Sequence, residues 1–170
     1  MSLVLRHRPE QIGLTLDEHG WADTQELIEK LNQHGAGITP ALLDFVVENN
    51  DKKRFAFSED KSMIRASQGH SLEVDLELPK AVPPELLYHG TASRFVAQIL
   101  RDGLQKQQRH HIHLSTVKAT AIDVGGRHGK PVILKVAAAR MHDAGYAFYL
   151  SANGVWLTDV VPADFLEEDR

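Results

Sequence analysis

Apolar positions in the first half of the chain repeat with the period of a helix. The segment "ADTQELIEKLNQHG" places Leu27, Ile28 and Leu31 on one face. A capping box begins at Asp23, and Gly35 provides a stop. The pattern therefore predicts a helix whose apolar face packs on a core.

A second helix is predicted by "TPALLDFVVENND". Thr39 stands at the N-cap and Pro40 at the first helical position, where proline is tolerated. Leu42, Phe45 and Val46 are predicted to form its apolar stripe.

The period then changes to two, which is typical of strands. "RFAFS", the turn "EDKS" and "MIRAS" predict a hairpin in which Phe55 and Phe57 share a face. On the second strand, Ile64 and Ala66 face opposite to Arg65. Helices followed by a hairpin predict a winged-helix lobe, a shape found in nucleic-acid binders and in plain protein-interaction domains.

Short strand-like runs dominate the second half of the chain. They are "LLYHGT", "HHIHLS", "PVILKVAA", "AFYLS" and "GVWLTDVV", with the helical stretches "SRFVAQILRDG" and "STVKATAIDVGG" between them. We expect an α+β protein whose second lobe has a mixed or split sheet. Pro79, Pro83 and Pro84 interrupt regular structure, so the domains are predicted as 1–78 and 85–170, joined by a linker at 79–84.

Composition narrows the possible chemistry. With 170 residues and 42% apolar content the chain can form a core, and its net charge of −4 argues against a general basic coat for nucleic acid. The absence of cysteine removes thiolate chemistry and cysteine-based metal sites. No apolar run is long enough for a membrane span or a signal peptide, so a cytoplasmic protein is expected. Any phosphate would be bound by a local cluster of basic groups.

Two basic segments of the first half stand out against this acidic background. "MSLVLRHRPE" carries Arg6 and His7 after an apolar run, and "IRASQGHS" carries Arg65 before a glycine turn with amide, imidazole and hydroxyl donors. Each has a plain structural alternative. Basic groups complement the end of a helix, an arginine on a strand is often just exposed, and such a turn can simply end a strand.

Three histidine-containing motifs follow in the second half. "YHGT" is typical of a strand end that meets a ribose or phosphate, with a threonine that caps the next helix, although an ordinary strand-to-helix turn has the same spacing. "HHIH" puts His111 and His113 on one strand face, but we expect no metal because neither a cysteine nor a clear acidic third ligand is near. "GGRHGK" could close over an anion through Arg127 and His128, yet it lacks the spacing of a P-loop.

These motifs, in this order, resemble the RNA 2'-phosphotransferase family of the KptA type. The resemblance covers nearly the whole chain, through "LRHRPEQIGLTLDEHGWAD", "ITPALLDFVVENNDKKRFAFS", "IRASQGHS", "LYHGTASRF", "RHHIHLS", "GGRHGKPVIL" and "ANGVWLT". It implies a winged-helix lobe and a lobe similar to NAD-dependent ADP-ribosyltransferases, with the active site in the cleft between them.

The resemblance also implies roles for individual residues. The catalytic Arg-His-Arg-Arg tetrad of the family matches Arg6, His7, Arg65 and Arg127. The residues implied to bind NAD are His89, Gly90, Thr91, His113 and Ser115, with Ser93, Gly103 and Leu104 near the adenosine. The late strand "NGVWLT" is apolar where many protein-modifying ADP-ribosyltransferases carry a catalytic glutamate.

The implied reaction transfers an internal RNA 2'-phosphate, as on a tRNA during splicing or RNA repair, to NAD. NAD is consumed and no metal is expected. The expected partner is an RNA with a 2'-phosphate, with no membrane, and the expected state is a monomer. Two alternatives stay open: an ADP-ribosyltransferase that stops after the first step on a nucleic-acid phosphate, and a non-catalytic winged-helix binder.

Overall fold

A computed structural model describes all residues, 1–170, and divides them into two compact units. The first unit is Met1–Glu77 and the second is Leu78–Arg170. The segment predicted as a linker, 79–84, makes backbone contacts with the second unit. The Ala81 N–H donates to Phe148 O at 2.9 Å, and Lys80 forms an isolated β-bridge with Tyr149.

The first unit combines three helices with one small sheet. Its elements are α1 (Ser2–Arg6), a 3-10 helix (Pro9–Ile12), β1 (Trp21–Asp23), α2 (Thr24–Gln33), α3 (Pro40–Glu48), β2 (Phe55–Phe57) and β3 (Met63–Ala66). The strands form an antiparallel sheet in the order β1-β3-β2. Leu5, Leu27 and Ile64 are completely buried in the core of this unit. Because α1 has only five residues, it depends on that packing for its stability.

The predicted start of α2 is confirmed. The Glu26 N–H donates to the Asp23 carboxylate at 2.8 Å, which satisfies one of the first amides of the helix. Leu27, Ile28 and Leu31 are buried as predicted. The helix ends at Gln33, and Gly35 follows with a φ of +81° that suits glycine.

The start of α3 is also confirmed, but its predicted apolar face is wrong. The Leu42 N–H donates to Thr39 Oγ1 at 3.2 Å. The helix buries Leu43 and Val47, whereas the Leu42 and Phe45 side chains are 41% and 62% exposed. Five of its residues are large and apolar, so the pattern allowed several faces, and tertiary packing selected the i, i+4 pair.

The predicted hairpin is confirmed as β2 and β3, which pair antiparallel. Ile64 and Ala66 are fully buried while Arg65 lies on the other face and is partly exposed. Strand β1, which the pattern did not predict, pairs with the other edge of β3 and places Trp21 opposite Arg65. Three residues are too few to show a clear period in the sequence.

The second unit contains three helices and eight short strands. They are β4 (Leu87–Ala92), α4 (Ser93–Asp102), β5 (Leu104–Gln105), β6 (Ile112–Leu114), α5 (Lys118–Gly125), a 3-10 helix (Gly126–His128), β7 (Pro131–Val136), α6 (Ala138–Asp143), β8 (Phe148–Leu150), β9 (Trp156–Thr158), β10 (Val160–Val161), a 3-10 helix (Ala163–Phe165) and β11 (Leu166–Glu168).

The strands of the second unit are divided among three sheets. The orders are β11-β7-β4, β6-β9-β8 and β10-β5, and every pairing is antiparallel. All the predicted strands and helices of this half are present, and the mixture of helix and sheet agrees with the predicted α+β class. Leu87, Val136 and Phe148 are among the residues that form its core.

Candidate active site

The C-terminal end of α1 presents two of the predicted site residues. Val4 and Leu5 anchor the helix in the core, and Arg6 and His7 follow as partly exposed side chains. His7 Nδ1 lies 2.9 Å from Ser71 Oγ, and the Ser71 N–H donates to Arg6 O at 2.9 Å. Ser71 therefore fixes both the backbone and the imidazole at the point where the helix ends.

The loop after β3 connects this helix end to the strand that carries Arg65. Ser67 is buried and its hydroxyl donates to Lys53 O at 2.9 Å, while His70 is only 1% exposed. His70 packs so closely on Gly20 that a Cβ there would lie 3.2 Å from His70 Nε2. The "SQGHS" turn is thus an anchored connection whose last hydroxyl contacts His7, and α1 packs directly against β3.

Arg65 is held on the outer face of the first unit's sheet. Its Cζ lies 4.4 Å from the centre of the Trp21 ring, and its Nη1 donates to His19 O at 3.4 Å. Burial lowers the pKa of Arg65 and the charges of Glu77 and Asp17 raise it; the guanidinium stays protonated in proteins under all ordinary conditions. The structure thus gathers Arg6, His7 and Arg65 on adjoining elements of one unit.

Arg127, the fourth predicted catalytic residue, belongs to the second unit. It lies in the 3-10 helix Gly126–His128 that continues directly from α5, and its side chain is exposed. The segment ends at Gly129, whose φ of +140° is accessible mainly to glycine.

The "YHGT" motif lies inside β4 and does not end it. Strand β4 pairs with β7 at every position from Leu87 to Ala92, so the strand continues past His89, Gly90 and Thr91. The prediction that Thr91 caps the next helix is therefore wrong. The N-cap of α4 is Ala92, and Thr91 is buried with 8% exposure.

Gly90 is a point of very close packing between β4 and α5. A Cβ at Gly90 would lie 1.6 Å from Ala121 O, and a Cβ at Gly125 would lie 2.7 Å from Thr91 O. The backbone of α5 therefore requires glycine at position 90, and the expected contact of Gly90 with NAD stays a prediction.

His89 is joined to the second histidine motif. Its Nδ1 lies 3.1 Å from His113 O, and a carbonyl oxygen can only accept, so Nδ1 carries the proton. Burial lowers the pKa of His89, which favours the neutral ring with an acceptor at Nε2. Tyr88 and Ser115 exchange two backbone hydrogen bonds at 2.8 and 2.9 Å. These contacts bring four predicted NAD residues together: His89, Gly90, His113 and Ser115.

Arg109 joins this group, although we did not assign it from the sequence. Its Nη1 donates to His113 Nδ1 at 3.3 Å, and its charge helps lower the pKa of His89. The available signal was its position four residues before His113 in "RHHIHLS". The group formed by His89, Arg109, His113 and Ser115, together with Gly90 and Thr91 on the same strand, is called the histidine cluster below.

The residues predicted near the adenosine lie at opposite ends of α4. Ser93 begins this helix and Gly103 follows it, a separation of about 15 Å along ten residues. Leu104 is 5% exposed in the core, and a Cβ at Gly103 would lie 2.5 Å from Val161 O. Packing alone explains a leucine and a glycine at these two positions.

The structure places no group of three or more histidine or acidic side chains where they could hold a metal ion. His111 Nε2 lies 3.9 Å from Asp159 Oδ1, and the centre of the His111 ring is 5.4 Å from the centre of the Tyr149 ring. The late strand β9 is buried at all three positions, Trp156, Leu157 and Thr158, and presents no carboxylate. None of the helices is both long and apolar enough to cross a membrane.

Comparison with known proteins agrees with this arrangement of motifs. Residues 1–160 match the model of the family described as RNA 2'-phosphotransferase, Tpt1 / KptA family. The chain belongs to this family. A probable RNA 2'-phosphotransferase of Flavobacterium johnsoniae is 57% identical over 167 residues, which cover 98% of this chain and 92% of the relative.

Two further relatives carry the same description, probable RNA 2'-phosphotransferase. The protein of Agrobacterium fabrum is 54% identical over 166 residues, covering 98% of this chain and 89% of the relative. The protein of Pseudomonas aeruginosa is 54% identical over 169 residues, which cover 99% of this chain and 93% of the relative. The match therefore includes every candidate residue described above.

Proposed function

We propose that this chain is an NAD-dependent RNA 2'-phosphotransferase. The observation that carries the proposal is the family match over residues 1–160, within which lie both the basic group of the first unit and the histidine cluster of the second. Its substrates are an RNA with an internal 2'-phosphate, such as a tRNA, and NAD. Its products are RNA with a 2'-hydroxyl, ADP-ribose 1'',2''-cyclic phosphate and nicotinamide.

The proposed reaction has two steps. In the first, an oxygen of the RNA 2'-phosphate attacks C1'' of the nicotinamide ribose, and nicotinamide leaves. In the second, the ribose 2''-hydroxyl attacks the same phosphorus, and the RNA 2'-oxygen leaves and takes up a proton. A phosphate monoester carries roughly −1.5 to −2 charges at neutral pH, so the first step needs no base to generate its nucleophile.

Arg6, Arg65 and Arg127 are proposed to bind and stabilise this phosphate. Guanidinium groups match phosphate oxygens with two parallel hydrogen bonds, and they stabilise the charge that develops during phosphoryl transfer. Arg6 and Arg65 are partly exposed residues on adjoining elements, although Nε and Nη2 of Arg6 are buried, and the side chain of Arg127 is exposed. Arg65 and Arg127 are therefore the more accessible of the three to an external anion.

His7 is proposed to act on the proton of the second step. It is the one member of this group that can exchange a proton near neutral pH. The contact of Nδ1 with Ser71 Oγ at 2.9 Å fixes the orientation of its ring. It can serve either by moving the proton or by donating a hydrogen bond to the phosphate.

The histidine cluster is proposed to bind NAD, together with Ser93 at the start of α4. Its donors and acceptors fit a ribose and a diphosphate: a neutral imidazole at His89, a guanidinium at Arg109 and a hydroxyl at Ser115. Bound NAD would supply an electrophilic carbon and a good leaving group. We assign Gly103 and Leu104 a packing role.

The proposal is tested with a synthetic RNA oligonucleotide that carries one internal 2'-phosphate. The pure protein is incubated with it, with and without NAD, and the RNA products are separated. Conversion to 2'-hydroxyl RNA only in the presence of NAD is the expected result. A stable ADP-ribosylated RNA would instead indicate an enzyme that stops after the first step, and unchanged RNA would indicate a binding protein.

Matched variants connect the activity to the assigned residues. Arg65→Ala is expected to lower turnover at least about a hundredfold, the scale seen when one transition-state donor is lost, while the protein stays folded. Arg54→Ala is the control, since Arg54 is a partly buried arginine of the same unit that we assign no role. Equal losses in the two variants would refute the assignment of Arg65.

A further inference from the structure

Trp21 and Arg65 are direct neighbours across two strands of the first unit. Strand β1 pairs with β3 in a register that places Trp21 opposite Arg65 and Ala22 opposite Ile64. Ala22 and Ile64 are completely buried, so the adjacent pair lies on the outer face of the sheet. Side chains that are opposite each other on antiparallel strands are close enough to interact.

The indole ring and the guanidinium are in contact. Arg65 Cζ lies 4.4 Å from the centre of the Trp21 ring, a distance at which a cation is attracted to the ring face. A second contact, from Nη1 to His19 O at 3.4 Å, limits the rotation of the guanidinium about its own axis. Together they restrict a side chain that is otherwise long and flexible.

Trp21 is itself held firmly by the turn before β1. The backbone N–H of Trp21 donates to the Asp17 carboxylate at 2.8 Å. The backbone carbonyl of Trp21 accepts from the Asp17 N–H, also at 2.8 Å. His19, which supplies the second contact to Arg65, lies in the same turn, and its own N–H also donates to Asp17 at 2.9 Å. The turn therefore fixes the backbone from which the Trp21 ring and the His19 carbonyl contact Arg65.

Neither contact neutralises the charge of Arg65. An arginine that is oriented by a salt bridge shares its charge with a carboxylate, whereas an aromatic face and a carbonyl orient the group and leave it cationic. Such an arrangement suits a guanidinium that must bind an incoming phosphate in a fixed orientation.

We propose that Trp21 is a positioning residue: its ring holds the guanidinium of Arg65 in the orientation that binds the RNA 2'-phosphate. The inference rests on the proposed function, because it needs Arg65 to contact the phosphate. It adds a residue of β1 to the group of the first unit.

The test compares Trp21→Leu, which removes the ring, with Trp21→Phe, which keeps an aromatic face. Trp21→Leu is expected to lower kcat for the 2'-phosphorylated oligonucleotide roughly 5- to 30-fold, the range that corresponds to the loss of a partly desolvated cation–π contact. The KM for NAD should stay unchanged, and the Trp21→Phe variant should keep most of the wild-type kcat.

The control is another contact between a cation and a ring in the same unit. Lys61 Nζ lies 5.5 Å from the centre of the Phe57 ring, and Phe57 pairs with the buried Ile64, on the face of the hairpin opposite to Arg65. Phe57→Leu removes a ring of the same sheet without touching Arg65, so its kcat should match the wild type. An equal loss in Phe57→Leu would mean that the sheet, and not the orientation of Arg65, was disturbed.

A double variant separates positioning from folding. If Trp21 acts through Arg65, adding Trp21→Leu to Arg65→Ala should lower kcat no further. A loss by the same factor in both backgrounds would overturn the proposal. So would a wild-type rate in Trp21→Leu, or a Trp21→Phe variant as slow as Trp21→Leu.

Fluorescence tests the contact without relying on turnover. The chain has two tryptophans, Trp21 and Trp156, so a difference between the emission spectra of the wild type and Arg65→Ala is expected to come from Trp21. Adding the 2'-phosphorylated oligonucleotide without NAD should change the emission of the wild type but not that of Trp21→Leu. If the wild type shows this change but no turnover, the proposed reaction fails and the phosphate-binding role of the pair stands. If neither spectrum responds, the role of Trp21 is refuted.

Discussion

Gly90→Ala is expected to separate α5 from β4 and to move Arg127 with it. The new Cβ would lie 1.6 Å from Ala121 O and 2.5 Å from Ala121 C, both of which are backbone atoms that no side-chain rotation can move away. Such atoms do not approach closer than about 3.0 Å, so helix and strand would have to part by roughly 1.4 Å.

The expected cost is that of overpacking a tight interface. Forcing a methyl group into such a site typically destabilises a protein by about 1–3 kcal/mol, occasionally more, and the backbone position of the clash argues for the upper part of this range. For a unit of this size, the melting temperature should fall by at least about 5 °C. Because the segment of Arg127 continues directly from α5, phosphotransferase activity should fall even where the protein remains folded.

Gly126→Ala is the matched control. A Cβ at Gly126 would have nothing within 4 Å, and the residue has a helical φ of −63° that alanine adopts readily. Thermal unfolding and initial rates are measured for both variants beside the wild type. A Gly90→Ala protein that melts like Gly126→Ala would refute the close approach of α5 to β4.

Three further predictions concern single side chains. Arg127→Ala should lower turnover at least about a hundredfold with an unchanged melting temperature, because the side chain is exposed; a folding defect would indicate a structural role. Ser71→Ala should lower kcat and alter its pH profile through the lost contact with His7, whereas Ser71→Thr should keep both. His89→Ala should raise the KM for NAD in initial-rate assays. Because burial lowers the pKa of His89 below its ordinary 6.5, the unfolded chain binds the proton more strongly. The free energy of unfolding is therefore expected to fall as the pH drops from 6.5 to the lowered pKa of the folded protein. His89→Gln should reduce the difference between urea midpoints at about pH 8 and about pH 5.

The elements that the sequence predicted correctly are those with strong local signals. Asp23 and Thr39 cap their helices because short oxygen-bearing side chains satisfy free amides wherever a helix begins. The alternation around Arg65 located β3, because one face of the strand is buried. Such signals depend on a few neighbouring residues and survive in many tertiary contexts.

The errors arose where distant packing decides the outcome. Nothing local distinguishes Leu42 from Leu43 on α3, and the core of the first unit selected Leu43. The motif around Thr91 has the composition of a turn, but six consecutive pairs with β7 keep it extended. In both places tertiary contacts override a plausible local pattern.

The candidate site was predictable by residue type but not by contact. Arg6, His7 and Arg65 stand out as basic groups in an acidic chain, but Ser71 and Trp21 are ordinary residues whose contacts with His7 and Arg65 appear only in the folded unit. Positioning residues are defined by what they touch, so a single sequence carries little trace of them.

The charge distribution of the first unit also indicates where a phosphate can bind. Helix α3 has no basic residue. Its carboxylates at Asp44 and Glu48 lie 3.2 and 3.6 Å from Lys61 Nζ. Binding RNA through this helix would bring carboxylates toward phosphates, which is unfavourable at the distances of direct contact. A winged-helix protein that bound RNA through α3 would need basic side chains on that helix. The proposed phosphate contacts therefore come from the end of α1 and from the outer face of β3, where Arg65 contacts the Trp21 ring and the His19 carbonyl oxygen.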